Sequence, residues 1–289
     1  MQYEPEFVYD MDKTLLFICL LPRYTILLPS EDVNTTCGKK KSKDPVSLVV
    51  CTNATGTHKI PCSVIGKPKA PACIQGQEWP LPYYNQRKAW MDVETRWKWF
   101  NEVFYPEVKK RTHQQVLLLL DNTPGHFDAF ERDGVRVVFF PPNCTSWKQP
   151  CNMGIIAALK KRYKYLYLID ILDHYELGED IKTQIQNQAK RLQRGSAGVS
   201  YGHPAHLLDA ATYVKQAWDD ISSATIKNAF NKAENMEIES SISSESEMLC
   251  EEVLSCFALL NIAIDRAELQ VYEHVDDESN EYNTQVIIE

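Results

Sequence analysis

Two aspartates of this 289-residue chain stand where carboxylates can do chemistry: Asp12, just past a short apolar strand-like run, and Asp121, which closes the apolar run at 116–120. A lone aspartate at a strand end usually caps a turn or a helix. Two of them on neighbouring strand ends can share magnesium ions, which take oxygen ligands in octahedral geometry and keep several waters. A metal pair about 3.5–4 Å apart activates the attacking water or 3′-hydroxyl and stabilises the leaving oxygen of an in-line phosphoryl displacement. That is the chemistry of cutting and joining DNA strands.

The elements that must position these acids are legible as a mixed α/β order. Short apolar runs bounded by turn residues predict strands at 7–9, 24–28, 46–51, 60–65, 116–120 and 135–140, with Asn53 to Gly56 as a hairpin turn. An amphipathic helix is expected over 95–108 with an interruption at Pro106, and a longer one over 153–175, where Ile155, Ile156, Leu159, Tyr163, Leu166 and Ile169 recur at helical spacing. After a polar linker at 194–198, residues 205–233 predict a helical pair. Hairpin strands followed by a helix, a strand ending in an acid, another strand and a long helix fit an RNase H-like mixed sheet with flanking helices.

Charge divides the chain unevenly. From Ala233 to Glu289 there are 15 acidic residues against one basic, whereas the preceding 232 residues hold 30 basic against 24 acidic. The first part therefore carries +6 and the tail −14. A basic body suits a polyanion, because cations placed near phosphates release condensed counterions; a solvated surface would look the same by charge alone. The Ser- and Glu-rich tail is too polar to fold by burial, apart from a short amphipathic helix expected over 247–264. The organisation expected is a catalytic core at 1–175, a helical extension at 176–233 and a largely disordered acidic tail at 234–289.

No run of about 18 uncharged apolar residues and no basic-then-apolar leader is present, so a soluble intracellular protein with no membrane partner is expected. The nine cysteines contain no C-x-x-C pair and read as free thiols of a reducing compartment.

Several blocks, in order, resemble the pogo, Tigger and Jerky type of DDE transposase, in its catalytic domain. VYDMDKTLLF at 8–17, followed by LPR at 21–23, is similar to the first block, N-x-D-E-T-G-L-F and then L-P. CTNATGTHKIP at 51–61, with Ile65, Gly66, Lys67 and Pro71, looks like the hairpin that follows. YNQRKAWM at 84–91 resembles Y-x-x-N-x-x-A-W-M with looser spacing. LLLDNTPGH at 118–126 resembles L-L-x-D-N-x-x-x-H, and FFPPNCTS at 139–146 with Gln149 and Pro150 resembles F-x-P-P-N-x-T-S-x-x-Q-P. Ala217 with Trp218, Ile221 with Ser222, and TIKNAF at 225–230 resemble the C-terminal helices.

The resemblance implies a nucleic-acid-binding, metal-dependent endonuclease in the nucleus, with DNA as partner, Mg²⁺ or Mn²⁺ as cofactor and no small-molecule cofactor; a homo-oligomer stays open. It makes Asp12 and Asp121 metal ligands. The third acid of the family's Q-P-x-D-x-G block falls on Asn152, whose neutral amide does not offset the repulsion between two close divalent ions. A weakened site that cuts DNA poorly is expected. Lys13 stands in place of the usual Glu and Leu15 in place of a Gly. In a strand the Lys13 side chain faces away from Asp12; in a turn its ammonium competes with a metal for the carboxylate. The family's N-terminal helix-turn-helix region is not matched, so either a fragment or a chain without its sequence-specific DNA reader is expected.

Lys160, Lys161, Arg162 and Lys164, on the helix after Asn152, are expected to contact phosphates. His126 reads equally as structural or catalytic. Trp90, Trp97 and Trp99 read as packing residues rather than base-stacking ones. The lysine run at 39–43 is a solvated loop, a DNA-backbone contact or a nuclear-import patch.

Two other functions fit parts of the sequence. Residues 10–14, D-x-D-x-T, also resemble haloacid dehalogenase-like phosphatases, with Asp10 as nucleophile and Asp12 as acid/base. That leaves the blocks at 85–91, 141–150 and 218–230 unexplained. The other alternative is a domesticated, non-catalytic DNA- or protein-binding module.

Overall fold

The computed structural model describes residues 3–18, 45–69, 71, 78–121, 129–141, 148–176 and 207–234. The strand expected at 24–28, the Lys39–43 run, His126, the linker at 194–198 and the tail beyond Glu234 lie outside the described residues.

The strands are β1 (Val8–Phe17), β2 (Pro45–Asn53), β3 (Lys59–Gly66), β4 (Tyr83–Asn85), β5 (Val116–Leu120), β6 (Phe130–Arg132) and β7 (Val135–Phe139). They form one sheet in the order β4-β3-β2-β1-β5-β7-β6. β1, β2 and β3 make an antiparallel meander. β5 then returns parallel to β1, and β7 parallel to β5. An antiparallel meander whose first strand pairs in parallel with later strands is the RNase H-like arrangement.

β1 runs well past the apolar residues that announce it. Asp10, Asp12, Lys13 and Thr14 read as a strand end, yet β1 continues to Phe17 because β2 pairs with it along its full length, from Tyr9 opposite Asn53 to Phe17 opposite Pro45. The ladder satisfies the backbone whatever the side chains are. Asp12 thus sits within a strand, not beyond one.

Helices cover both faces. On one, α1 (Val93–Trp99), a π turn over Phe100–Phe104 and α2 (Tyr105–Arg111) form a continuous helical stretch. Asp92 caps it, its side chain accepting from the Thr95 amide at 2.8 Å. Pro106 does not interrupt it. The Tyr105 amide bonds back to the Phe100 carbonyl, five residues earlier, and this wider turn absorbs the proline. Trp99, Phe100, Phe104 and Val108 pack there on Tyr9, Met11, Leu118 and Val137.

On the other face lie α3 (Ile155–Glu176), α4 (Leu207–Asp219) and α5 (Ser223–Glu234). Leu159, Val214, Trp218 and Phe230 share one apolar cluster with Leu16, Leu48, Val50 and Val64 of the meander. The helical pair is anchored at the β2–β3 turn. Gly56 has φ +65°, and a Cβ on it would lie 2.7 Å from the Ser223 Cα. The close approach lets the Ser223 hydroxyl donate to the Gly56 carbonyl at 2.8 Å. Lys59 next to the turn donates to the carbonyls of Trp218, Asp219 and Ile221 at 2.8, 2.6 and 2.9 Å. No helix among the described residues is long and apolar enough to cross a membrane.

Candidate functional site

Strand pairing brings the two aspartates to one level. In the parallel β1–β5 ladder Met11 is opposite Leu120, so Asp12 and Asp121 follow as the next residues on adjacent strands. Asp12 is buried, and its Oδ1 accepts from the Lys13 amide at 2.7 Å. Burial pushes its carboxyl well above the usual carboxylate range. The charges of Asp10 and Asp121 push the same way, against the Lys13 amide and ammonium.

The cation beside these acids comes from the strand itself. Lys13 shares its face of β1 with Tyr9 and Met11, opposite to that of Asp12, as alternation requires. From there its ammonium reaches Asp121 Oδ2 at 3.2 Å and lies 4.9 Å from the Trp90 ring centroid. The carboxylate it meets is thus Asp121, not Asp12. Arg96 of α1 approaches the other oxygen, with Nη2 4.0 Å from Asp121 Oδ1. The Arg96 side chain is 3% exposed and that of Lys13 is 7% exposed, so both cations are held in low dielectric. Burial lowers the Arg96 guanidinium to about 10, and Asp121 opposes that shift.

Asn152 enters through a 3₁₀ turn, Pro150–Met153, that docks on β1. Asp10 makes the dock. Its Oδ2 accepts from the Cys151 amide at 2.8 Å and its Oδ1 from the Gln149 side chain at 3.4 Å, while the same Gln149 nitrogen donates to the Met11 carbonyl at 3.0 Å. The Asp10 carboxyl is pushed up to about 6 by burial, with the Cys151 and Gln149 hydrogen bonds pulling back. Asn152 itself is exposed, its amide donating to Gln149 Oε1 at 3.2 Å. The turn thus carries position 152 to the strand of Asp12.

This geometry overturns the phosphatase alternative. A nucleophilic Asp10 needs a free oxygen facing a phosphoryl group, whereas Asp10 is 0% exposed and both its oxygens are engaged by the 149–151 turn. The row expected to meet phosphates is less open than a solvated helix face would be. Lys160, Lys161 and Lys164 are buried, at 2%, 9% and 3% exposure, and Arg162 is half-buried. Burial of Tyr167 and Leu168 along with Leu159 shows α3 covered on more than one side, which takes these cations off an open surface. Trp99 is a core residue, and Trp97 packs 4.9 Å from Phe130.

Sequence reasoning missed Arg96, Gln149 and the clamping role of Asp10. Arg96 did leave a signal: with Trp99, Phe100 and Val103 it falls at i, i+3, i+4 and i+7, on the apolar face of its helix. A cation on that face needs a buried partner.

The described residues around Asp12 and Asp121 do not fit a two-metal centre. Among the described residues no group of three or more His, Cys, Asp or Glu side chains is placed to hold a metal ion. Position 152 offers an amide, and Lys13 and Arg96 already attend Asp121.

A family model described as DDE superfamily endonuclease matches residues 43–230. Tigger transposable element-derived protein 7 of Homo sapiens is 30% identical over 244 residues, covering 77% of this chain and 41% of that protein. Jerky protein of Mus musculus is 32% identical over 169 residues, covering 55% and 29%. ARS-binding protein 1 of Schizosaccharomyces pombe is 27% identical over 241 residues, covering 78% and 40%. Among solved structures, the Mos1 transposase paired-end complex with left transposon end aligns with TM-score 0.42 and 9% identity, over 87% of this chain and 56% of that one. The chain spans about 40% of the length of Tigger protein 7 and of ARS-binding protein 1.

Proposed function

We propose, from the premise that this chain belongs to the DDE superfamily endonucleases, that it is a transposase-derived domain that binds DNA and has lost most or all strand-cleaving activity. The observation that carries the reading is the composition of the site where the middle of β1 runs beside the end of β5. In this reading Asp12 and Asp121, side by side in the β1–β5 register, take the first two acid positions that the resemblance implies, and Asn152 on the docked turn takes the third. An amide oxygen has a dipole where two-metal phosphoryl transfer needs a net negative charge.

DNA as partner is supported by the relatives, one of which is named for binding ARS, and by the net +6 of residues 1–232. With DNA as partner, a nuclear location is part of this reading, and imaging of a tagged chain checks it. Mg²⁺ or Mn²⁺, when bound in a family member with all its acids, polarises the phosphoryl oxygens and activates the nucleophile. Here the chain's own residues hold β1 beside the end of β5 and leave position 152 uncharged.

The test has two arms. Fluorescence anisotropy with duplex DNA is expected to show binding that weakens steeply as salt rises. Plasmid nicking with Mg²⁺ or Mn²⁺ is expected to be absent in the wild type and to appear when Asn152→Asp is combined with Lys13→Glu. Wild-type nicking would overturn the loss of activity, and absence of salt-dependent binding would overturn the DNA-binding role.

A further inference from the structure

The acid cluster is surrounded by charge that no catalytic role explains. Asp10, Asp12 and Asp121 lie close enough for Asp12 to feel both neighbours, in a region where Asp10 and Asp12 are buried. Like charges at such a site repel strongly, and in a metal-dependent site divalent ions supply the compensation. In this chain a cation is supplied covalently. The Lys13 ammonium rests on Asp121 at 3.2 Å and lies over the Trp90 ring at 4.9 Å from its centroid; the Arg96 guanidinium stands at 4.0 Å from the second Asp121 oxygen.

We propose that Lys13 is a built-in replacement for a metal ion. Its ammonium neutralises the Asp12–Asp121 pair, with Arg96 as second cation, so that this site is stable without metal and excludes divalent cations.

Three features support it. Lys13 is 7% exposed, so its charge sits where solvent does not disperse it, and removal would take from Asp121, next to Asp12, the ammonium 3.2 Å away. The ammonium is a compact point charge, able to sit at a carboxylate oxygen as a small cation does. Arg96, 3% exposed and with Nη2 4.0 Å from the second Asp121 oxygen, adds a second buried cation to the same carboxylate. The proposal rests on the metal-poor reading of the site given above and adds its cause. It predicts that Asn152→Asp alone restores neither metal binding nor nicking, because the cation at Asp121 remains.

The test measures Mn²⁺ binding by the loss of the free-ion paramagnetic resonance signal, alongside thermal unfolding with and without Mn²⁺, on the full chain. Wild type and Lys13→Arg are expected to show no Mn²⁺-dependent rise in Tm. Lys13→Met, which keeps the stem and loses the charge, is expected to lower Tm by roughly 5 °C or more in chelator. Added Mn²⁺ should recover part of that loss. Lys13→Glu should bind Mn²⁺ at least roughly ten-fold more tightly than wild type, since each added carboxylate strengthens a hard-cation site. Asp121→Asn in the Lys13→Glu background should abolish the gain.

Two results would overturn the proposal: Mn²⁺ binding by the wild type that Asp121→Asn removes, or Lys13→Met and Lys13→Glu chains that fold with unchanged Tm and gain no metal affinity. If Lys13→Met does not fold in chelator, refolding it with Mn²⁺ decides the matter, rescue supporting the proposal and its absence overturning it. None of these readouts depends on DNA binding or nicking, so this inference can fail while the DNA-binding reading stands, and the reverse.

Discussion

Two lysines, Lys13 and Lys59, turn inward at opposite edges of the β1–β2–β3 meander and do different work. Lys13 meets a carboxylate and lies against an indole. Among the described residues Lys59 meets no acid within bonding distance; its ammonium donates to three carbonyls, from Trp218 to Ile221, where α4 ends. A helix C-terminus presents carbonyls without intrahelical donors and the negative end of the dipole, and one ammonium answers both. The comparison teaches that the same side chain serves as a fold clamp where it meets backbone and, under the proposal above, as a charge balance where it meets the Asp121 carboxylate. The clamp should be indifferent to metal. The balance should not.

That contrast can be broken most directly at Lys59. Lys59→Met should cost about 2–4 kcal/mol of unfolding free energy, because hydrogen bonds to the helix-end carbonyls are lost together. Urea denaturation measures it, and the loss should be the same with Mn²⁺ or with chelator. A metal-dependent loss would erase the distinction between the two lysines.

A smaller effect is expected at the turn on the other side of the same clamp. Gly56→Ala forces a Cβ into the left-handed region and to 2.7 Å from the Ser223 backbone, so α5 must move. About 1–3 kcal/mol should be lost. The Ser223 amide should also exchange hydrogen faster, which separates local undocking from a global effect.

The smallest effect sharpens the comparison by adding a group that titrates away from the acid cluster. His58, between the two clamp residues, shares a 2.7 Å hydrogen bond with the Tyr9 hydroxyl. Burial, helped by the Arg111 charge, lowers its pKa below the ordinary 6.5. The unfolded chain therefore binds a proton that the folded chain refuses, so stability should fall as pH drops below about 6.5 and level off below the folded-state value. Urea midpoints from pH 7.5 to about 5 measure it, and His58→Gln should flatten this part of the slope.

Much of the fold was legible because periodicity survives in a single sequence. The runs at 116–120 and 135–140 became β5 and β7 to within a residue, and the hairpin turn at Asn53 to Gly56 formed as expected. The helix expected at 153–175 formed as Ile155–Glu176, and the pair at 205–233 as α4 and α5. The polar half of β1 was not legible, since Asp, Lys and Thr in succession mimic a turn unless a partner strand is known. The burial of Lys160, Lys161 and Lys164 was equally hidden: alternation with apolar residues at helical spacing describes a helix with one wet face, and covering of further faces is decided elsewhere in the chain.

At the candidate site the sequence by itself determined which residue types stand at 12, 121 and 152, two carboxylates and an amide. It also determined that Lys13 and Asp12 lie on opposite faces if the segment is extended. Only the tertiary structure decided that β1 pairs in parallel with a strand more than a hundred residues away, that the Lys13 ammonium ends on Asp121, and that Arg96 joins it from a helix. The physical reason is that local spacing sets the direction of a side chain, whereas the identity of what it meets is a property of long-range strand register and of how the helices pack on the sheet.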